Sequence, residues 1–440
     1  MALEKGKIVA QGKTKILHEV VGNENLIIIE NKDEITKNDD KSLTKTMVSK
    51  AEYATATTCM VFQLLKDAGI PVAFEKQISK TEFLAPKCEM IALEVIARRY
   101  AVGSYLKRFP NFIVPDGQTP HRFHKLVFEL FFKTSDGKFS NENGLSLQTP
   151  NDVTAGKDKP VDDPFIANPY DSIWQLKHPK IPAWIESADL DVSVESGQIL
   201  PFNFNVKGIE EITRKVFLTL EGAWSQLGLR LIDFKIEFGV DYDGNLLVAD
   251  VIDNDSWRLR TSDWQELSKQ LFRDNYDLEE ISEKYALVSK LVERFSAPRQ
   301  AIVVWRGSEA DELPQLRGVY GIDVVNIVKS GHKSPDTCLD ELEKVLADYP
   351  QGGVIIAAVG LSNGLGPILA ARTSWPVIAL PLTCKTSPND VWSSLSLPSS
   401  VPLLTVCKAE NAYLAAFNIL AQKNPFAYAF RQEAIENLDK

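Results

Sequence analysis

The stretch IDFKIEFG, residues 232–239, alternates apolar and charged side chains along its whole length. Successive side chains of a β-strand point to opposite faces, so one face of this stretch carries Asp233, Lys235 and Glu237. The other face is apolar, as in a strand that packs on a hydrophobic core. The stretch therefore predicts a central strand of an α+β domain whose row of charged side chains needs partners.

The sequence that follows supplies a partner strand. Asp243-Gly244 predicts a hairpin turn, and the return strand LLVADVI, residues 246–252, contains the single acid Asp250. An unpaired carboxylate in so apolar a run would be costly to bury. Acids on neighbouring strands, together with a lysine, would suit a Mg²⁺-nucleotide complex. An exposed hairpin face covered by ion pairs would give the same spacing, so both interpretations stay open.

Composition limits the classes of function. The chain has 440 residues, of which 44% are apolar and 25% charged, as in a soluble protein of several domains. A net charge of −10 argues against nonspecific binding to nucleic acid or to anionic membranes. The five scattered cysteines form no CxxC pair, which indicates a reduced cytosolic protein without a zinc site. No apolar run is long enough to span a membrane.

Periodicity divides the chain into three regions. Residues 1–260 mix strands and helices, and within them residues 133–208 are rich in Asp, Asn, Ser, Pro and Gly and are expected to be mostly loop. Residues 261–297 are highly charged with a helical period, and we interpret them as a linker. Residues 298–440 alternate short apolar strands with helices, which predicts an α/β domain with a buried parallel sheet. Its strands are expected at 301–304, 324–328, 354–359, 377–380 and 403–406, and its last helices at 409–423 and 425–437.

A glycine-lysine motif near the start is ambiguous. Gly12-Lys13-Thr14-Lys15 is not a P-loop, because Lys7 stands where that motif needs a glycine. Lys13 and Lys15 would lie on one side of a strand and could hold phosphates, or they could be two solvated surface lysines.

Two polar segments accompany the hairpin. Asp253–Arg258 (DNDSWR) follows the return strand, and Arg98–Ser104 (RRYAVGS) offers cations and a hydroxyl to an anionic substrate. Each segment taken alone would more often be surface than site.

Together these motifs resemble the SAICAR synthetase family, whose members make the succinocarboxamide nucleotide SAICAR. Four motifs occur in the family's order: GKTK, CEMIALEVIARRYAVGSYLKR, IDFKIEFGVD and ADVIDNDSWR. The resemblance covers most of residues 5–260. It implies a kinase-like two-lobe fold in which ATP phosphorylates a carboxylate and the aspartate amine then displaces phosphate. A protein kinase is disfavoured, because no HRD-type loop or DFG motif occurs.

The resemblance also implies roles for individual residues. Phosphates would lie at Lys13 and Lys15 and the adenine near Met90, with ATP and Mg²⁺ near Glu237 and Asp250 and the catalytic Lys235 and Asp233 alongside. The carboxylated nucleotide and aspartate would be held by Arg98, Ser104, Asp255 and Arg258. Residues 133–208 depart from the family's short Asp-Pro loop, and Asp163-Pro164 is the candidate counterpart.

Three glycine-rich loops follow strands of the C-terminal region. They are GSEAD (307–311), SGHKSP (330–335) and GLSNGLGP (360–367). The carboxyl ends of parallel strands are where open α/β sheets bind ligands, and glycines expose N–H groups to phosphate. His332 lies in the second loop and is either part of such a site or an ordinary surface histidine. A nucleotide-binding module without chemistry would also fit this pattern.

These loops and DVWSSLSLP (390–398) resemble the aminoimidazole ribonucleotide (AIR) carboxylase family over residues 298–440. The HK pair and SNGLGP are similar to the animal-type class, which takes CO₂ directly and needs no ATP, biotin or metal. The resemblance implies a flavodoxin-like, three-layer α/β fold and makes His332 the proton carrier. The pocket would be lined by Ser308, Asp311, Lys333, Ser362, Asn363 and Gly364. The sequence departs from the family pattern at four positions: Ala310 replaces the usual serine, Gly331 replaces alanine, and Leu361 and Ser396 stand where the family usually has arginine.

The combined expectation is a cytoplasmic enzyme that carboxylates AIR with CO₂ to CAIR and then joins CAIR to L-aspartate with ATP, giving SAICAR, ADP and phosphate. The alternative is a synthetase whose carboxylase-like domain only supports assembly. The family resemblance implies a homo-octamer formed through the C-terminal domain. An apolar stripe on the last helices would serve such contacts; it comprises Ala412, Leu414, Ala415, Ala416, Ile419 and Leu420.

Overall fold

The computed structural model of the chain describes residues 4–36, 43–115, 117–142, 144–152, 154, 159–274, 276–316 and 318–438. Its internal contacts divide the chain into two compact units, Met1–Phe295 and Ser296–Lys440. Each unit has its own sheets and its own hydrophobic core.

The first lobe of the first unit is an antiparallel sheet covered by one helix. Its elements are β1 (Lys5–Gln11), β2 (Lys15–Val20), β3 (Asn23–Asn31), β4 (Glu34–Thr36), β5 (Thr44–Thr46), α1 (Lys50–Asp67), β6 (Lys76–Gln77) and β7 (Glu82–Pro86). The strand order of the sheet is β1-β2-β3-β7-β6. Buried Ala54, Val61 and Leu65 recur on one face of α1 at helical spacing. This face packs the helix onto the sheet.

The second lobe is built on a nine-stranded sheet. Its elements are β8 (Glu89–Met90), β9 (Leu93–Tyr100), α2 (Ser104–Arg108), β10 (Arg122–Phe132), β11 (Lys138–Ser140), β12 (Ser146–Gln148), β13 (Phe165–Ile166), β14 (Ile173–Lys177), β15 (Asp189–Glu195), α3 (Val206–Gln226), β16 (Arg230–Val240), β17 (Leu246–Ala249) and β18 (Trp257–Arg260). The path is β15-β14-β13-β10-β9-β16-β17, and β8 and β18 also pair with β16. Helix α3 packs on this sheet, with Phe217 edge-on to Phe234 at 5.2 Å between ring centroids.

Strand β16 confirms the alternation in the sequence. Phe234 and Phe238 are buried on one face, and Asp233 and Glu237 are buried on the other. The predicted hairpin turn is also present, closed by Gly244 in a left-handed conformation at φ 81°. A central strand has neighbours on both sides, so its charged row is enclosed and must find partners within the protein.

Residues 133–208 contain more regular structure than the composition indicated. Strands β11 and β12 form a separate two-stranded hairpin, and β13, β14 and β15 extend the nine-stranded sheet at its edge. Strands β11 and β12 have three residues each, which is too short for a periodic signal, whereas β15 (DLDVSVE) does alternate and was obscured by the loop-like composition around it.

The expected linker differs in the structure. Within residues 261–297, α4 (Gln270–Arg273) and α5 (Leu278–Val292) belong to the first unit, which extends to Phe295. Ile281 and Tyr285 of α5 share a buried cluster with Ile35 and Met47. The charged residues occupy the outer face of α5, which gave the segment its solvated appearance in the sequence.

The second unit is a three-layer α/β fold, as expected. Its elements are β19 (Gln300–Arg306), β20 (Ile322–Val328), α6 (Pro335–Asp348), β21 (Gly353–Val359), α7 (Leu365–Ala370), β22 (Val377–Pro381), α8 (Trp392–Leu395), β23 (Leu404–Thr405), α9 (Ala409–Leu420) and α10 (Pro425–Glu436). All strand pairs are parallel, in the flavodoxin-like order β20-β19-β21-β22-β23. Helices α6 and α7 cover one face, and α9 covers the other.

The apolar stripe on the last helices packs inside the unit. Ala412, Ala416 and Leu420 of α9 are buried against the sheet, and Leu414 and Ile419 are partly buried. The stripe is therefore used by the fold itself and is not a ready contact surface. Among the described residues, no helix combines the length and hydropathy needed to cross a bilayer.

Candidate active sites

One cavity of about 1020 Å³ lies between the two lobes of the first unit. Its lining includes Lys15 of β2, Met90 of β8, Glu237 of β16 and Asp250 after β17. Four residues that the sequence assigned to ATP and Mg²⁺ therefore surround one space. Much of the remaining lining is apolar and includes Leu17, Ile27, Ala85, Pro86, Ile91 and Ala92.

The hairpin brings the two acids together. Glu237 is paired with Ala249 in the strand register, which places Asp250 one residue further along the neighbouring strand. Asp250 has a left-handed backbone at φ 68°, a conformation that is uncommon for residues with a side chain, although aspartate adopts it more readily than most. Lys15 forms an ion pair with Asp250. Burial alone would raise the pKa of Asp250, but Lys15 and then Lys133 hold this pKa below its ordinary value.

Two lysines hold Glu237. Lys133 Nζ lies 2.5 Å from one carboxylate oxygen, and Lys235 Nζ lies 3.2 Å from the other. Lys235 also pairs with Glu94 at 2.6 Å. Burial disfavours the charged amine, yet Glu94 and Glu237 together raise the pKa of Lys235, which stays protonated. Sequence reasoning missed Lys133, because it follows an apolar strand without any periodic signal.

Asp163 lies close to this charged group. Its carboxylate accepts a hydrogen bond from the Thr134 amide at 2.9 Å, and its backbone is left-handed at φ 45°. Burial, reinforced by the charge of Glu94, raises the pKa of Asp163 to about 7. The Asp-Pro candidate of the sequence therefore lies beside Glu94 and Lys235, despite the long segment that surrounds it.

Asp233 belongs to a different cluster from Glu237. Arg258 contacts its carboxylate at 2.5 Å, and Arg98 donates to the same oxygen. Arg98 also approaches the Ser104 hydroxyl at 3.4 Å. The charged row of β16 is thus divided, with Glu237 facing the cavity and Asp233 holding two guanidinium groups. Gly103 lies so close to Arg258 that any β-carbon at this position would overlap the guanidinium.

Glu129 completes the arginine cluster and was missed by the sequence reasoning. It is fully buried between Arg98 and Arg108, and each guanidinium donates to it at 2.6 Å. Burial would raise the pKa of Glu129, but the two arginines lower it. A usable signal was present, because Glu129 is the lone acid in the apolar run LVFELFF (126–132), just as Asp250 is in its strand.

Asp255 is already satisfied inside the protein. Its carboxylate lies 3.3 Å from Lys50 and 3.2 Å from Lys269, and the Tyr285 hydroxyl donates to it at 2.6 Å. Burial opposes ionisation, but Lys50 and Lys269 lower the pKa of Asp255. The expected substrate contact therefore differs from the arrangement found, in which Asp255 anchors the loop that carries Arg258.

Lys13 does not line the cavity. It is exposed in the turn between β1 and β2, which the hydrogen bond from the Gly12 amide to the Lys15 carbonyl closes at 2.9 Å. Of the two lysines of the GKTK motif, Lys15 lines the cavity and pairs with Asp250.

In the second unit the three glycine-rich loops meet at the carboxyl edge of the sheet. Asp311 lies between the first and third loops, since a β-carbon on Gly307 or Gly360 would come within 3.4 or 3.3 Å of its carboxylate. The loops follow β19 and β21, where the strand order reverses. This is the position at which flavodoxin-like sheets bind ligands.

His332 rests on the third loop. A β-carbon on Gly364 would overlap its imidazole, and a β-carbon on Gly331 would lie 2.8 Å from Leu365 Cα. Glycine at 331, a departure from the family pattern, therefore lets the second loop approach the start of α7. His332 and its neighbour Lys333 are both exposed at this edge.

The third loop is fixed by the residues before and within α8. The Ser362 amide donates to Asp390 at 2.8 Å, with Ser362 left-handed at φ 56°. The Asn363 side chain donates to Ser394 at 3.0 Å and accepts from the Gly366 amide at 2.9 Å. Asn363 therefore shapes the loop with its own amide group, whereas the expectation was a substrate contact.

Three other residues of this edge are open to solvent. Ser308 and Ala310 are exposed in the first loop, and Leu361 is 66% exposed in the third. The Leu361 side chain is apolar, so it cannot form an ion pair with an anionic group bound at this edge.

Both units match protein families. A family model described as SAICAR synthetase matches residues 8–151 and 175–291, and one described as AIR carboxylase matches residues 309–437. The matches follow the division into two units, except that the first leaves out residues 152–174.

Relatives are similar over nearly the whole chain. A probable multifunctional protein ADE2 of Caenorhabditis elegans is 33% identical, with 97% of this chain and 92% of the relative covered. The bifunctional phosphoribosylaminoimidazole carboxylase/phosphoribosylaminoimidazole succinocarboxamide synthetase of Homo sapiens is 32% identical, with 99% and 95% covered.

Solved structures resemble the units one at a time. A SAICAR synthetase (Type-2) in complex with ADP is 26% identical, covers 64% of this chain and 96% of its own, and has a TM-score of 0.46. A PurE of Treponema denticola is 21% identical, covers 32% of this chain and 92% of its own, and has a TM-score of 0.28. Since both TM-scores are below 0.5, these likenesses add nothing to the sequence matches.

Proposed function

The chain belongs to the family of bifunctional phosphoribosylaminoimidazole carboxylase/phosphoribosylaminoimidazole succinocarboxamide synthetases, and from this membership we propose where its two reactions take place. It is an enzyme of purine biosynthesis with carboxy-lyase and ATP-dependent ligase activities. Ligation occurs in the first unit, Met1–Phe295, and carboxylation in the second, Ser296–Lys440.

The observation that carries the ligase assignment is the convergence of cations and acids on one cavity. Lys15, Lys133 and Lys235 surround Glu237 and Asp250, and the apolar remainder of the cavity suits a purine base. Lysine ammonium groups bind phosphates as point charges. We place the ATP phosphates among these lysines and the adenine toward Met90.

The two carboxylates fit Mg²⁺. Glu237 and Asp250 present hard oxygen donors on adjacent strands at the cavity wall, and their present partners are the same lysines that would turn to phosphate. Mg²⁺ held by these acids would neutralise charge on the phosphates. Lys235, held protonated by Glu94, would stabilise the negative charge that develops during transfer.

The substrate of ligation is a carboxylated nucleotide. ATP transfers its terminal phosphoryl group to the carboxylate of CAIR, and the amine of L-aspartate then displaces phosphate to leave the amide. The anionic nucleotide would be held by Arg98, Ser104 and Arg258. Their cluster contains the guanidiniums of Arg98, Arg108 and Arg258 but only the carboxylates of Asp233 and Glu129, which leaves a net positive charge. Asp233 and Glu129 act as positioning residues that fix these arginines.

Carboxylation takes place at the edge of the second sheet. A bond forms between CO₂ and the ring carbon of AIR, and the proton on that carbon must leave. His332 is exposed at the meeting point of the three loops and is the group that would take it. Ser308, Asp311, Lys333, Ser362 and Gly364 would line the pocket, while Asn363 shapes it.

The test is a complete reaction of the full chain with AIR, CO₂, L-aspartate, ATP and Mg²⁺. We expect SAICAR and ADP from the wild type, and from His332→Asn we expect SAICAR only when CAIR is supplied. Ligation of CAIR without carboxylation of AIR in the wild type would instead favour a second unit that only supports assembly.

The assembly and compartment are further proposals. We propose a cytoplasmic homo-octamer formed through the second unit, as in the family that the sequence resembles. Because α9 is packed internally, the contacts would need other apolar residues, such as the exposed Trp392 and Leu395. A monomer in light scattering at micromolar concentration would contradict this.

A further inference from the structure

A hairpin from the unexplained segment forms part of the first cavity. Strands β11 and β12 lie between Lys133 and Asp163, and residues of both strands line the cavity. They are Lys138, Phe139, Ser140, Ser146, Leu147 and Gln148. The hairpin therefore adds a wall to the proposed ATP site that no motif of the sequence had indicated.

This wall is fixed in place by several contacts. The Phe139 ring meets Phe132 edge-on at 4.9 Å between centroids, and the Asn141 side chain donates to the Gln198 carbonyl at 2.8 Å. At the base of the hairpin, the Thr149 hydroxyl donates to the Val161 carbonyl at 2.5 Å. The hairpin is thus anchored on both sides.

The hairpin contributes one apolar pair to the cavity wall. In the strand register Phe139 is directly opposite Leu147, and both are half-buried. The flanking residues Lys138, Ser140, Ser146 and Gln148 are exposed. Side chains directly opposite each other on antiparallel strands form one contiguous surface.

The pair lies on the side of the cavity where the two lobes join. Phe132, which contacts Phe139, is paired with Leu93 in the strand register. The amide of Lys133 donates to the carbonyl of Ala92 at 3.0 Å. The hairpin is therefore attached beside Ile91 and Ala92, which follow Met90 and also line the cavity.

We propose that Phe139 and Leu147 form an apolar wall that contacts the purine base of ATP. This inference rests on the proposed ligase function of the first unit. It assigns a role to the β11–β12 hairpin. The hairpin would add to the affinity for ATP by contacting the base, whereas the lysines of the cavity bind the phosphates.

The experiment compares two ligands on the full chain, ATP and inorganic tripolyphosphate, each titrated calorimetrically in the presence of Mg²⁺. Leu147→Ala should weaken ATP binding roughly 3- to 10-fold, since it removes apolar contact area. It should leave tripolyphosphate binding unchanged. Leu145→Ala is the matched control, because Leu145 lies on the same hairpin, is also half-buried and does not line the cavity.

Phe139→Ala serves as a second variant, with a melting curve to exclude unfolding, and should follow the same pattern. Equal weakening of both ligands, or no change in ATP binding by Leu147→Ala, would overturn the inference. Equal affinity of the wild type for ATP and for tripolyphosphate would overturn it as well, because the base would then contribute nothing to binding. Failure of the wild type to bind ATP at all would instead contradict the proposed ligase function.

Discussion

The two sites of this enzyme are built by different means. In the first unit, charged side chains of the large sheet neutralise one another, as Lys133 after β10 and Lys235 of β16 do with Glu237. In the second unit, glycines let the loops approach closely, as where Gly331 meets the backbone of Leu365 and the His332 imidazole rests on Gly364. A site made of paired charges should be sensitive to the loss of a charge, and a site made of close backbones should be sensitive to an added methyl group.

The largest effect is expected from removing one acid of the first site. Glu237→Gln or Asp250→Asn keeps the shape but leaves lysines without a partner and Mg²⁺ with one ligand fewer. Ligation of CAIR should fall by about 10²-fold or more, measured as ADP release, while AIR carboxylation stays unchanged. Glu24→Gln, on the exposed part of β3, is the control. Near-wild-type ligation in both site variants would refute the metal assignment.

A methyl group should damage the second site in the same selective way. Gly364→Ala would displace the His332 imidazole, because the new β-carbon overlaps it. Misplacing a catalytic group by about 1 Å can lower a rate by about 10²-fold. We expect such a loss in AIR carboxylation and none in ligation. Gly318→Ala adds a methyl group to open space in the same unit and should change neither rate.

A smaller gain is expected from restoring a charge to the second site. Leu361 is exposed where the family usually has arginine, so Leu361→Arg would add a charge-assisted hydrogen bond to the anionic group of AIR. Such bonds contribute about 1.5–3 kcal/mol, which corresponds to at least a 10-fold lower KM. The KM for AIR is measured in a carboxylation assay at saturating CO₂. A folded variant with equal or lower kcat/KM would show that the missing arginine does not limit this site.

The smallest effect concerns pH and Asp163. Its pKa of about 7 in the folded protein exceeds the ordinary value of 3.8, so the folded state binds the extra proton between these values. Its contribution to stability is therefore present at low pH and is lost as the pH rises through about 7. Asp163→Asn imitates the protonated form at every pH. The melting temperature of the variant minus that of the wild type should therefore be higher at pH 8 than at pH 5, by about 2 °C or more. A constant difference would contradict the raised pKa.

The sequence allowed most of the fold to be predicted where periodicity was strong. The alternation in residues 232–239 and the apolar strands of the second unit were found as expected, because each pattern reflects burial on defined faces. The hairpin of β11 and β12 was not predicted, since strands of three residues carry too little periodic signal.

Candidate site residues were predictable when they interrupted an apolar run. Asp250 was recognised on this basis, and Glu129 could have been. The internal partners of Asp255 could not, because Lys50 and Tyr285 approach it from helices far apart in the chain. Which carboxylates face a ligand and which hold the protein together is decided by such tertiary contacts.

The left-handed backbones of Asp163, Asp250 and Ser362 have a consequence for engineering this enzyme. Glycine adopts that conformation without steric cost, so glycine at any of the three would relieve strain in the folded chain. At Ser362 the change would remove only a hydroxyl from the proposed second site, so a screen that selects for heat resistance alone would be drawn to this position and would recover variants that lose activity as they gain stability. At Asp250 it would leave Lys15 without its partner, so the lost ion pair would outweigh the relieved strain.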